Sequence, residues 1–285
     1  MRQRLISAAV LVPVVVILFV LGPPWLTLAI AVLAALCAYE TAQLVRAAGI
    51  GASRWIAVSW AALAVLGLAW FVGPVPLAYG WALVGPLFAL LVIVAAVAAF
   101  RQPHPRDGFR AWLGTVFAGL FPAMLGFAAA LVGIAPGPQD VVFFGYPLDN
   151  GRTWLLVLVL TVWTLDSAAY VVGRFFGRGR FMNHISPNKT WSGAIGGTVA
   201  AMAVCTLLFA GSGQSQIGGL LLGFVIAVTA QAGDLAESMI KRAAGAKDSG
   251  RLIPGHGGFL DRVDSFMFAA PVLAGYALLA AGRVA

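Results

Sequence analysis

A chain of 285 residues that is 61% hydrophobic and only 10% charged has the balance of a protein dissolved in lipid, since soluble domains carry about 25% charged residues. The apolar residues fall in blocks of membrane-spanning length, which excludes a soluble fold with a merely apolar core. The formal net charge is +8, and no nucleic-acid partner is expected.

Nine apolar blocks follow one another: 5–22, 25–45, 55–73, 77–100, 112–135, 153–173, 191–211, 217–240 and 265–282. Each can cross a hydrocarbon core of roughly 30 Å as a helix rising about 1.5 Å per residue. A lone spanning segment must satisfy its backbone internally, so helix is the expected conformation throughout. The first block follows a basic start, as in a signal peptide. Its apolar run exceeds a typical h-region and no small-x-small cleavage site follows, so a retained span is expected. Pro13, Pro86, Pro122 and Pro271 are tolerable inside such helices. Cys37 and Cys205 lie inside apolar blocks and read as packing residues. Glu40, near the end of the second block, reads as a snorkelling or packing residue or as a member of a site. Trp25, Trp55, Trp112, Trp154 and Trp191 stand at block starts, where an amphipathic ring anchors at headgroup level.

Basic residues orient the spans. With the N-terminus in the cytoplasm, all of the 18 Lys and Arg except Arg152 and Arg283 fall on the cytoplasmic side. The positive-inside rule therefore places the C-terminus outside. The expectation is one all-α polytopic membrane domain of about nine transmembrane helices, with N-terminal helices over 1–136 and catalytic helices with their cytoplasmic loops over 153–285.

Two connections differ from the rest. The first, GRFFGRGRFMNHISPNKTWSG, covers 173–193; the second, from Gly233 to Ser265, carries Asp234, Glu237, Asp248, Asp261 and Asp264. Topogenic signals need cations but not interleaved carboxylates, so mixed charge with glycines and a histidine suggests metal plus phosphate. Asp166, Tyr170 and Arg174 share one helix face, as do Asp234, Ser238 and Lys241. Both aspartates should sit roughly 10–12 Å below the cytoplasmic helix ends. There a carboxylate needs a polar cavity, a cation or a metal, or else serves as interhelical polar glue. Asp261 and Asp264, three residues apart, are either a site or an acidic helix start favoured by the macrodipole.

Gly255, Gly257 and Gly258 around His256 allow backbone N–H groups to approach an anion. His256 could act as base, phosphate donor or structural hydrogen bonder. Ser186, Lys189 and Thr190 precede the seventh block, where a helix N-terminus could receive a phosphate or simply be capped. His104 and His184 read as surface residues. There is no GxxxxGK[ST] P-loop, and no CxxC or HExxH pair that would suggest zinc.

Ser238 to Arg242, then Lys247-Asp248, Gly250, Ile253-Pro254, His256-Gly257-Gly258-Phe259 and Asp261-Arg262-Val263-Asp264, together resemble the signature of the phosphatidate cytidylyltransferase family. The SPxKT segment, Asp166 and Gly233-Asp234-Leu235 are similar to further family features, so the likeness covers 153–265. Ser192 departs from the acidic residue that often follows SPxKT. The resemblance implies transfer of CMP from CTP to phosphatidate under Mg²⁺, with room for a second cation, at the cytoplasmic face of the inner cell membrane. It also leaves a homodimer open. Asp234, Asp261 and Asp264 are the implied metal ligands, and Asp234, Asp261, Asp264, Lys241 and Asp166 the implied catalytic residues. Ser186, Lys189, Thr190, Ser238, Arg242, Lys247, His256, Gly257, Gly258 and Arg262 are the implied substrate-binding set. A transporter of an anionic solute is the alternative from another class, although charge gathered at one face and the lack of an internal repeat count against it. An enzyme of CDP-alcohol use rather than formation would carry that class's DxxDG motif, which is absent.

Overall fold

The computed structural model describes residues 2–72, 77–133, 141–143, 146–177, 179–253, 255 and 257–280, with backbone alone at 2–8, 10–11, 71–72, 77–84, 141–143, 146–147 and 150. The described helices are α1 (Arg2–Leu21), α2 (Trp25–Ala47), α3 (Arg54–Val72), α4 (Leu77–Ala99), α5 (Pro105–Ala123) and α6 (Gly126–Val132), then α7 (Asn150–Phe176), α8 (Trp191–Gly211), α9 (Gln216–Ala243) and α10 (Leu260–Ala280). Within the described residues each of the nine apolar blocks falls on a helix, the fifth on α5 and α6 together. Among the described residues six stretches are long and apolar enough to cross a membrane: Trp25–Ala47, Pro105–Val132, Gly151–Phe176, Trp191–Gly211, Gln216–Ala243 and Leu260–Ala280. The apolar parts of α1, α3 and α4 within the described residues are shorter. Large apolar side chains such as Ile93, Trp163, Ile195, Leu207 and Leu221 are exposed, as a lipid-facing surface requires. The departures from an all-helical chain among the described residues are a short antiparallel hairpin, β1 (Val141–Phe143) and β2 (Tyr146–Leu148), with Val141 opposite Leu148, and isolated antiparallel bridges between Arg180 and Thr190 and between Ile253 and Gly257.

The chain divides into two compact units, residues 1–133 with 240–263, and residues 134–239 with 264–285. Residues 240–263 thus group with the N-terminal helices.

In the first unit α3 packs against α2, α4, α5 and α6. The close approaches are made over small residues, the usual means of helix association where no hydrophobic effect operates. A Cβ on Gly126 would stand 2.7 Å from a Leu68 methyl, and one on Gly119 would stand 3.1 Å from the Trp60 ring. Trp60, Ala64, Leu91 and Ala123 form a buried cluster between them. Pro122 has no N–H to continue the α5 ladder, and the chain passes through a tight turn at Met124 and Leu125 before α6 begins.

In the second unit α7 and α8 lie backbone to backbone. A Cβ on Gly193 would stand 2.7 Å from the Ala169 carbonyl oxygen, and one on Gly197 would stand 2.8 Å from that of Leu165. Gly219 and Gly223 bring α9 equally close to Phe209 and Met202 of α8, and Gly233 meets the Asp264 carbonyl oxygen of α10. Trp154, Phe209 and Tyr276 close one end with ring centroids 5.6–5.8 Å apart. These contacts set the α7, α8 and α9 faces that carry the polar residues.

Candidate active site

In the second unit the start of α8 organises the polar face. Thr190 is extended and its hydroxyl oxygen accepts Gly193 N–H at 3.1 Å, which satisfies one orphan donor of the helix. The preceding loop folds back on this cap: Phe181 N–H donates to Lys189 O at 2.8 Å and Trp191 N–H to Gly179 O at 3.1 Å. Phe181 and Trp191 pack edge to face at 4.5 Å. The loop is therefore anchored at both ends, and Lys189 extends from it to an ion pair with Asp234 Oδ2 of α9 at 2.6 Å. The two side chains are 26% and 30% exposed, but the Lys189 ammonium nitrogen itself is buried, so the attraction exceeds that of a surface pair.

A cavity of about 490 Å³ opens beside this pair, with Asp166, Tyr170 and Arg174 of α7, Asn188, Lys189 and Thr190 of the loop, and Gln231 and Asp234 of α9 among its lining residues. The Arg174 guanidinium donates to the Tyr170 hydroxyl at 2.9 Å. Gln231 donates to Thr198 Oγ1 at 3.0 Å and is fixed on the cavity wall. The expected face of Asp166, Tyr170 and Arg174 is thus present and lines a hollow. Cations and carboxylates stand around one space, an arrangement suited to phosphate groups accompanied by a metal.

Asp234, Glu237 and Asp264 each turn a carboxylate oxygen to the same place, all within 4.8 Å of one another, and Glu237 is buried. The close approach of Gly233 to the backbone of Asp264 makes this convergence possible, because a side chain at 233 would hold α10 away from α9. Ser238, also buried, lies 3.5 Å from Asp234 Oδ1 through its hydroxyl.

In the first unit Asp261 is the centre of a separate network. Its Oδ1 accepts Lys241 Nζ at 2.7 Å. Its Oδ2 accepts Ser249 N–H, the Ser249 hydroxyl and Gly258 N–H, each at 2.9 Å. The Lys241 and Asp261 side chains are only 13% and 11% exposed, so neither could lose its partner cheaply. Gly257 adopts a left-handed φ of +82° beside Asp261 Oδ2, and its carbonyl oxygen accepts Ile253 N–H at 2.9 Å. The anion that the glycine-rich turn approaches is therefore the protein's own carboxylate.

Of the other residues singled out from the sequence, Arg242, Lys247 and Arg262 are exposed. Arg242 donates to Ala246 O at 3.3 Å. Ser186 is half-buried, and its N–H donates to Met182 O inside the folded loop. His256 lies outside the described residues. Ser192, the position at which the sequence departs from the resembled signature, holds its hydroxyl 3.3 Å from Thr190 Oγ1. Glu237 belongs to the mixed charge that suggests a site but is not among the residues assigned to it from the sequence, and Ser249 is not singled out there at all. Glu237 stands one turn after Asp234 in an otherwise apolar stretch, and that spacing was a usable signal. Ser249 carried none. Glu40, for which the sequence allows either packing or a site, did carry one: Leu36, Cys37, Gln43 and Leu44, its neighbours one turn away, include no cation, so its charge had to be met from elsewhere in the chain.

The sequence matches the profile of the cytidylyltransferase family over residues 2–280. It is 42% identical over 193 residues to a phosphatidate cytidylyltransferase of Brucella suis, covering 66% of this chain and 65% of that relative's length. A phosphatidate cytidylyltransferase of Synechocystis sp. is 32% identical over 290 residues, covering 95% of this chain and 94% of that relative. One from Staphylococcus haemolyticus is 41% identical over 148 residues, covering 51% of this chain and 57% of that relative.

Proposed function

The chain belongs to the cytidylyltransferase family, and from that premise we propose that it transfers CMP from CTP to phosphatidate at the cytoplasmic face of the inner cell membrane. A phosphate oxygen of phosphatidate attacks the α-phosphorus of CTP. A new P–O bond forms as the bond to the β-phosphate breaks, pyrophosphate leaves with the electron pair, and CDP-diacylglycerol results. The attacking oxygen is already anionic, so the protein has mainly to position two anions and offset their charge. The observation that carries this reading is the Lys189–Asp234 pair on the wall of a 490 Å³ cavity, with Asp234 also belonging to a three-carboxylate cluster.

Three carboxylates converging within 4.8 Å repel one another unless a cation offsets them, and their hard oxygens suit Mg²⁺. Asp234, Glu237 and Asp264 would hold it. When bound it neutralises phosphate charge as the transferring group moves, and a second cation belongs to the same proposal. Lys189 is poised to exchange Asp234 for a phosphate oxygen. Asp166 faces the same cavity, Arg174 supplies a second positive charge held by Tyr170, and Thr190 supplies a hydroxyl. Asp261, read from the sequence as a further metal ligand, has both oxygens engaged, and its assigned role is to aim Lys241 at phosphate. Arg242, Lys247 and Arg262 add exposed positive charge, and Ser238 steadies Asp234.

The direct test uses purified protein in detergent with phosphatidate, labelled CTP and Mg²⁺. A cytidine-labelled product that partitions into organic solvent, and that requires all three additions, is expected; its absence would refute the assignment.

The proposal includes nine crossings with the N-terminus in the cytoplasm. Cys37 and Cys205 are buried thiols, so single cysteines introduced at loops can be read without removing them. Gln214→Cys is expected to react with an impermeant maleimide added outside intact cells, and His104→Cys only after permeabilisation. The opposite pattern would invert the topology.

A further inference from the structure

Glu40 is a carboxylate in the second half of the apolar helix α2 and is only 1% exposed. A charge so placed is tolerated only where it is met by dipoles or an opposite charge. It is met by the start of α10. Oε1 accepts Phe259 N–H at 3.1 Å, and Oε2 accepts Leu260 N–H at 2.9 Å and the Ser249 hydroxyl at 3.0 Å. Two of the orphan donors of α10 are thus capped by a residue more than 200 positions away in sequence, and the carboxylate sits at the positive end of the helix dipole.

Ser249 extends this cap to Asp261. Its hydroxyl lies 3.0 Å from Glu40 Oε2 and 2.9 Å from Asp261 Oδ2, and it accepts Asp261 N–H at 3.3 Å. The hydroxyl has a single hydrogen and donates to one of the two carboxylates at a time, so the state of each carboxylate bears on the contact made by the other. Asp261 in turn holds Lys241. Space is cleared for this linkage on both sides. A Cβ at Gly250 would collide with the Glu40 carboxylate, and one at Gly258 with both Glu40 oxygens and the Ser249 hydroxyl. Neither glycine has a left-handed φ. The glycines at 250 and 258 therefore answer to Glu40, not to a turn.

We infer that Glu40 is a positioning residue for the transfer reaction, acting through Ser249 and Asp261 to fix Lys241. The inference rests on the function proposed above for Lys241 and Asp261, and it adds to that function a group from a helix outside the catalytic signature.

Glu40→Gln keeps the shape of the side chain but replaces one acceptor oxygen by an NH₂ group. Whichever way the amide turns, either Phe259 N–H or the Leu260 and Ser249 donors then face hydrogens. Amide exchange over residues 249–261 is expected to quicken about tenfold or more, a readout that needs no activity. Turnover is expected to fall about 10- to 100-fold, the range for removal of an outer-shell partner, with KM for CTP little changed. In a Lys241→Met background the same substitution should cost less than about twofold, because the group it positions is gone. Ser249→Ala should follow the same pattern with a smaller loss, and it carries the test if Glu40→Gln does not accumulate. Unchanged exchange in these variants would overturn the inference. So would faster exchange with losses that multiply in the Lys241→Met background, since Glu40 would then stabilise the fold without acting through Lys241. If the unaltered protein made no cytidine lipid, the proposed function would fail while the exchange data still decided whether Glu40 holds the loop.

Discussion

Asp234→Asn is expected to lower turnover about 10³-fold or more, a loss of about 4 kcal/mol of transition-state stabilisation. Asp234 serves two partners at once. It holds Lys189 at 2.6 Å and contributes an oxygen to the cluster with Glu237 and Asp264. An amide keeps the volume but removes the negative charge, so the cation affinity of the cluster falls and the Lys189 ammonium is released from its partner. The helix contacts around Gly233 and the α7–α8 interface do not involve this carboxylate, so the variant should insert and elute from size exclusion as the unaltered protein does. The informative measurement is turnover against Mg²⁺ concentration. A ligand loss moves the half-saturating Mg²⁺ concentration upward as well as lowering the plateau. Normal turnover at ordinary Mg²⁺ would remove Asp234 from the proposal.

Asp261→Asn is expected to cost about 10²- to 10³-fold in turnover, for a different reason. Oδ1 serves Lys241, while Oδ2 serves three donors from Ser249 and Gly258. An amide can satisfy one side and must present its hydrogens to the other. In one orientation the Lys241 ammonium faces an NH₂ group; in the other the loop donors do. The first loses the acceptor that fixes the lysine and the second loses the loop contacts that fix the acceptor; in either case the nearly buried ammonium has no carboxylate charge beside it, which is costly. Because this loss belongs to Lys241, raising Mg²⁺ should not restore turnover, and Lys241→Met should show a similar loss that does not multiply with it. Recovery at high Mg²⁺ would instead make Asp261 a metal ligand, the role its sequence context first suggested.

The two aspartates show where reading the sequence reached its limit. Both were legible as candidates, since a carboxylate among apolar or glycine-rich neighbours must have a reason to be there. Their partners were not. Asp234 and Lys189 are 45 positions apart, and nothing in either segment names the other; the pair depends on a loop that folds back through Phe181 and Trp191 and on glycines that let α7, α8 and α9 close up. The glycine-rich turn illustrates the opposite error. Gly257 and Gly258 were read as making room for a phosphate, and in the folded chain they make room for Asp261 and Glu40. The physical inference, a close approach to an anion, held; the identity of the anion lay in the tertiary structure.

By itself the sequence determined the solvent, the helical conformation of the apolar blocks and the segments proposed to carry the chemistry. Those properties follow from hydrophobicity, helical period and charge, which act over neighbouring residues and leave a local trace. Only the tertiary structure decided that Glu237 joins Asp234 and Asp264, and that Asp261 is bound to Lys241. It alone brought a glutamate from α2 to cap α10. A buried charge shows in sequence that it needs a partner, but which partner it finds is set by helix packing, where small residues let distant backbones meet.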